Sequence, residues 1–191
     1  MSAVFVSGFP LKSSMQIFFL SADPKKCAQM LCDKHCVKMP TETAQILCTV
    51  WWFSNEVAAQ ELMNMHGIYK PARKTWHPSI RWVAESTANY DWTVQLLEEL
   101  CKEYTFRYGK THACERFVQL FRDTIGHPPL EKFDWITMSQ QFQAIADESL
   151  KDDDPVVAYR AFYWQDKRRF AKWANGRDAP EWWSQLVVEN E

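Results

Sequence analysis

Residues 30 to 51, MLCDKHCVKMPTETAQILCTVW, restrict the fold more than any other part of the chain. Wound at about 100° per residue, they gather Lys34, His35, Lys38, Glu42, Gln45 and Thr49 into an arc of roughly 100°. Met, Cys, Val, Ile, Leu, Ala and Trp dominate the rest of the wheel. A helix on the outside of a small domain carries a wider polar face than this. Two arrangements fit the pattern. In one, a mostly buried helix turns its polar strip toward a cleft; in the other, the strip is a narrow solvated face closed by an i, i+4 pair between Lys38 and Glu42.

Either arrangement needs other helices as wrapping, and the chain supplies their signals. Asp23-Pro24 reads as an N-cap followed by the proline that a first helical turn tolerates. A helix is expected from there through Lys38, kinked or restarted at Pro40 and continuing to about Phe53. A second is expected to open after His77-Pro78 and to close at Gly109, a third to run over residues 111–125, and a fourth to start at Asp154-Pro155 and span 155–174. Ile17–Leu20 is the one β-like run. The expected fold is all-α, a compact single-domain helical bundle with at most one short N-terminal strand. Its parts are an N-terminal extension over 1–14, the helical domain over 15–185 and a C-terminal tail over 186–191.

At 191 residues the chain is long enough to bury a proper core. Its ten Trp, six Tyr and twelve Phe exceed what an average core needs, and such aromatics can fill a core, line a cleft or stack on bases. A net charge of −2 excludes wide clamping of duplex DNA through many phosphates. A local basic cleft stays open, because KPARKTWHPSIRW and QDKRRFAKWANGR interleave cations with Trp. No apolar run reaches the ~18 residues of a membrane span, and no secretory leader is legible, so a cytoplasmic protein with reduced thiols is expected. Cys32, His35 and Cys36 lie close together but lack a second ligand pair, so neither a metal nor another cofactor is expected.

A second polar set accompanies the first. Trp82, Glu85, Asn89, Trp92, Leu96 and Leu100 share one face if the second helix is continuous, which would set a carboxylate and an amide among aromatics. That helix ends in EYTFRYGKTH, a knot of Tyr104, Arg107, Tyr108, Lys110 and His112. Two helices with inward polar residues would form two walls of one site, although a structural ion-pair network gives the same pattern. Glu42 beside His35 and Lys38, with Glu85 opposite, suits acid-base work at a sugar or base carbon where oxocarbenium-like charge develops. Gln45, Asn89, Tyr104, Arg107, Tyr108 and Lys110 would hold the substrate. Trp76 and Arg81 would line its approach with Arg73, Lys74, Lys167, Arg168 and Arg169. The P-loop, the dinucleotide fingerprint and the hydrolase elbow are all absent.

The segments MQIFFLSADPKKCAQMLCDKHCVKM, HPSIRWVAESTANYDW, LCKEYTFRYGKTH and DPVVAYRAFYWQDKRRFAKW resemble a family of small proteins met mainly in bacteriophage and large-virus genomes. More distantly, DKH in an N-terminal helix, then HPSIRW, then a helix ending in EYTFRYG is similar to the pyrimidine-dimer DNA glycosylases of the endonuclease V type, which are compact helical proteins. The shared pattern starts at Met15. In those enzymes the N-terminal amine is the nucleophile and a helix glutamate assists it, so the resemblance implies that Glu42 takes that part; Thr41 stands where the family has an arginine next to it. Two function classes stand on this reading. One is an enzyme that removes or modifies a DNA base or nucleotide, acting as a glycosylase or a transferase on a modified pyrimidine. The other is a non-enzymatic viral helical protein that binds a host or viral protein.

Overall fold

The computed structural model describes residues 15–71, 77–129 and 143–189, and within them every regular element is a helix. In chain order these are α1 (Pro24–Met30), α2 (Asp33–Ser54), α3 (Glu56–His66), α4 (Pro78–Val83), α5 (Thr87–Tyr108), α6 (Arg116–Gln119), α7 (Pro155–Lys167) and α8 (Glu181–Glu189). A 3-10 turn, Ala113–Glu115, leads into α6, and a π turn, Leu120–Thr124, follows it. The two long helices, α2 and α5, pack on one another with α1 against α5 and α3 and α4 against α2.

Local chemistry sets most of the starts. Asp23 caps α1 by accepting from the Lys25 and Lys26 amides, and Asp154 caps α7 through the Val156 amide, each with proline as the first helical residue. Asn55 caps α3 and Gly67 ends it in the left-handed conformation (φ 63°), a backbone state that glycine adopts without a Cβ clash. α3 and α8 lie outside the helices expected from the sequence.

The helix expected over 111–125 is a 3-10 turn, the short α6 and a π turn, the one expected over 155–174 ends at Lys167, and the first two are each broken in two. The first predicted helix is interrupted eight residues before Pro40: Leu31 and Cys32 are extended (ψ 139° and 164°), whereas α2 runs unbroken through Pro40. Remote side chains satisfy the backbone at that break. Arg107 donates to the carbonyls of Leu31 (2.9 Å) and Gln29 (3.0 Å), Trp173 Nε1 donates to Met30 O (3.2 Å), and the Cys32 amide donates to Tyr163 (3.0 Å). The second predicted helix is also two: α4 stops at Val83, and Ser86 caps α5 by accepting from the Asn89 amide. Asn89 Nδ2 then donates to Trp82 O at 2.6 Å, tying the corner.

Residues 15–20 are all buried and form no strand, and the Leu20 amide turns back to donate to Phe18 O at 2.9 Å. Side chains complete their hydrogen bonding in place of a neighbouring strand: Cys27 Sγ donates to Phe18 O (3.0 Å) and Arg160 Nε to Leu20 O (3.1 Å), while Gln16 donates to Ala144 O (2.8 Å). Aromatics fill the core, with Trp82, Trp92 and Phe19 in mutual edge or tilted contact at one end and Tyr163, Trp173, Trp182 and Trp183 at the other. All six cysteines are unpaired and buried, and burial pushes the Cys36, Cys48 and Cys101 thiols up to about 12. No helix among the described residues is long and apolar enough to cross a membrane.

Candidate functional site

The polar strip of α2 is partly sealed and partly open. His35 and Glu42 are buried, each 5% exposed, while Lys38 between them keeps nearly half of its side chain in solvent. Lys38 Nζ lies 2.7 Å from Glu42 Oε1, an i, i+4 pair with one partner enclosed. Gln45 is half-buried one turn farther along, and the Thr49 hydroxyl donates to its carbonyl at 2.6 Å. The strip therefore offers a sheltered carboxylate that a molecule in solvent would meet through a lysine.

His35 is held from both sides by residues distant in sequence. Phe18 stacks on its ring (centroids 4.9 Å apart, 16° between planes), and Tyr163 and Phe170 approach edge-on. Nδ1 is 2.7 Å from the Tyr163 hydroxyl. Burial, assisted by the nearby Lys167 and Lys38 charges and only partly opposed by Asp166, lowers the His35 pKa from 6.5 to about 3. The ring is neutral at physiological pH. Between pH 6.5 and about 3 the unfolded chain binds a proton at His35 that the folded chain refuses, so stability falls as pH falls through that window. The slope approaches about 1.4 kcal/mol per pH unit from this residue. Urea unfolding of wild type and His35→Gln at pH 7, 6 and 5 checks it: the stability difference between the two should shift by that slope below pH 6.5 and stay constant above it.

Cations rest on aromatic rings at the end of α7, in the residues after it and at the start of α2. Lys34 Nζ sits 4.8 Å from the Phe170 centroid, Lys167 Nζ 5.2 Å from Phe18, Arg168 4.4 Å from Trp164 and Arg169 5.9 Å from Phe170. Lys167, Arg168 and Arg169 were expected on the approach, and Lys167 does reach the ring that covers His35. Arg73, Lys74 and Trp76 lie outside the described residues.

The other sequence-derived positions divide. Tyr104, Tyr108 and His112 come together, with Tyr104 at 5.0 Å from Tyr108 and 4.9 Å from His112, and Tyr108 donates to Asp33 O at the start of α2. Lys110 is exposed beyond the end of α5. Arg107 is wholly enclosed: besides the α1–α2 carbonyls it binds Glu103 Oε1 (2.8 Å) and Asp33 Oδ1 (3.1 Å). Arg177 grips Glu103 through both carboxylate oxygens at 2.8 Å. Glu85 and Asn89 do not share an inward face, because the helix break between them leaves Glu85 exposed while Asn89 is buried in the corner. Arg81 is exposed on α4. Residues missed from sequence are Phe18, Tyr163 and Phe170; the i, i+4 series Tyr159, Tyr163, Lys167 was the legible signal for the second of them.

The family model for pyrimidine dimer DNA glycosylase matches residues 15–116, more than half of the chain. The chain belongs to the pyrimidine dimer DNA glycosylase family. The match begins at Met15, where the sequence resemblance begins, and takes in α1 to α5 with the whole α2 strip. For this family member α7, with Tyr163 and Lys167, lies outside the matched stretch. No curated protein and no solved structure matches the chain with significance.

Proposed function

We propose that the protein is a DNA glycosylase that releases a damaged pyrimidine base, with Glu42 as the carboxylate that stabilises the sugar as the base departs. The observation that carries this reading is the enclosed Glu42 carboxylate, paired at 2.7 Å with a half-exposed lysine on the helix strip that the family match covers. As the glycosidic bond breaks, the base leaves with the bonding pair and positive charge develops on the deoxyribose, which a fixed carboxylate in a sheltered site offsets. Lys38 is the group that an incoming nucleotide displaces or engages, and Gln45 lies one turn beyond. Tyr104 and Tyr108 offer ring faces at the start of the strip, and Lys34, Lys167, Arg168 and Arg169 steer phosphates.

The test uses oligonucleotides with a pyrimidine dimer, undamaged pyrimidines or hydroxymethylated pyrimidines, followed by mass spectrometry of the products. Cleavage of one glycosidic bond in the dimer strand, seen as an abasic sugar whose base stays tethered to its dimer partner, supports the reading. A new group on the hydroxymethylated base, in a reaction supplied with an activated sugar or other group donor, favours a transferase over a glycosylase, and no binding or reaction with any of them removes the glycosylase reading. Borohydride trapping on the dimer strand, with peptide mapping, tells whether an amine forms an imine and whether it is that of Lys38.

Salt dependence supplies a separate check. Affinity for DNA should fall with rising salt on a shallow slope, that of a few phosphate contacts rather than the roughly six to ten of a strong duplex binder. Neutralising Arg168 and Arg169 together should lower that slope by about one unit per lost contact, as measured by fluorescence anisotropy from low to physiological salt.

A further inference from the structure

We propose that Tyr163, supplied by α7 from outside the matched stretch, fixes His35 in the tautomer that carries its proton on Nε2 and so presents that N–H to a phosphodiester oxygen of bound DNA. The inference rests on the glycosylase reading for its ligand, but the tautomer follows from hydrogen bonding alone. The Tyr163 side chain is completely buried, and its oxygen already accepts the Cys32 amide at 3.0 Å. The phenol has one proton to place, and His35 Nδ1 at 2.7 Å is its acceptor. If Nδ1 carried the ring proton and donated to Tyr163, the phenol proton would be left with the Cys32 sulfur, a weak acceptor, in place of a ring nitrogen. Burial also raises the Tyr163 pKa well above its ordinary value, so the phenol keeps its proton.

With Nδ1 thus occupied, the neutral ring has its remaining proton on Nε2. Among the described residues Nε2 has no hydrogen-bond partner. The ring cannot swing to find one, since Phe18 covers its face and Tyr163 and Phe170 bracket its edges. Lys38 from α2 and Lys167 from α7 are close enough to disfavour a second ring proton, with Asp166 the one opposing charge. A neutral donor set among cations suits an anionic oxygen, and a phosphodiester is the anion that a DNA substrate brings. Tyr163 acts here as a positioning residue: it touches His35, and His35 meets the DNA.

The experiment has two arms. Long-range ¹H–¹⁵N NMR of the full-length protein reads the His35 tautomer directly: a protonated Nε2 and bare Nδ1 in wild type are expected, and a protonated Nδ1 overturns the proposal whatever the protein's activity. The second arm measures affinity for a duplex carrying a stable abasic-site analogue. A Gln amide at position 35 mimics the Nε2 donor and an Asn amide the Nδ1 donor. His35→Gln should therefore stay within about threefold of wild type, while His35→Asn and Tyr163→Phe weaken binding about tenfold, the effect of losing one hydrogen bond to a charged group. Equal loss in Gln and Asn variants, or better retention in Asn, overturns the role of Nε2. If wild type binds none of these duplexes and cleaves no glycosidic bond, the glycosylase reading and the DNA role of His35 both fail, and the tautomer result stands or falls on the spectrum.

Discussion

Glu42→Gln lowers the single-turnover rate of glycosidic-bond cleavage in dimer-containing DNA by about 10²-fold or more, the range over which a positioned carboxylate acts, and leaves the fold in place. The substitution keeps shape and hydrogen-bonding capacity but removes the charge that offsets the developing oxocarbenium. Its structural cost is small. The Lys38 partner is half-exposed and stays solvated when the pair is lost, and the Gln amide fills the enclosed carboxylate's place, so the variant should stay folded. Affinity for undamaged duplex should hardly move, because Glu42 is enclosed and phosphates meet the cationic face instead. Glycosidic cleavage at the wild-type rate by Glu42→Gln would remove Glu42 from the chemistry. An unfolded Glu42→Gln protein would show that the carboxylate serves the core.

How far the sequence could go is clear from particular residues. Asp23-Pro24, Asp154-Pro155 and Gly109 act through bonds to their own neighbours, and the helix ends that they mark stand where expected. The capping serine at position 86 is equally local, so the split between α4 and α5 was legible, and with it the outward turn of Glu85. The break at Leu31–Cys32 was not, because nothing local stops that helix. It exists because Arg107, Tyr163 and Trp173 reach back to it, across as many as 143 positions in the chain. The α2 strip was visible as a period, and its Lys38–Glu42 pair with it. The covering of His35 by Phe18 and Tyr163 was not, since a wheel shows which side chains share a face and not which remote ring closes over them.

Arg107 shows how that difference decides a role. The sequence places it in a polar-aromatic knot and suggests an anion ligand; the structure encloses its guanidinium among Glu103, Asp33 and the carbonyls of Gln29 and Leu31. Arg107→Ala would strip the Leu31 and Gln29 carbonyls of their Arg107 donor and leave Glu103 buried with Arg177 as its remaining cation, a loss of about 3–5 kcal/mol. That is a large part of the roughly 5–15 kcal/mol that holds a domain folded, so the urea midpoint should fall steeply. Arg107→Lys should not restore it, because a single ammonium cannot reach acceptors arranged around a planar fork. Acid should mimic the loss. Burial alone would raise the Glu103 pKa, but Arg177 and Arg107 outweigh it and hold the carboxyl below its ordinary value. The unfolded chain then takes up this proton at a higher pH than the folded chain does. The Glu103 contribution is therefore complete above the ordinary glutamate range and drains away as pH falls toward the depressed folded value. Wild type should lose stability across that interval, and Glu103→Gln should lose less. If Arg107→Ala instead keeps the wild-type urea midpoint and lowers the salt slope of DNA binding by about one, Arg107 meets a phosphate and the enclosed network is not what closes the α1–α2 break.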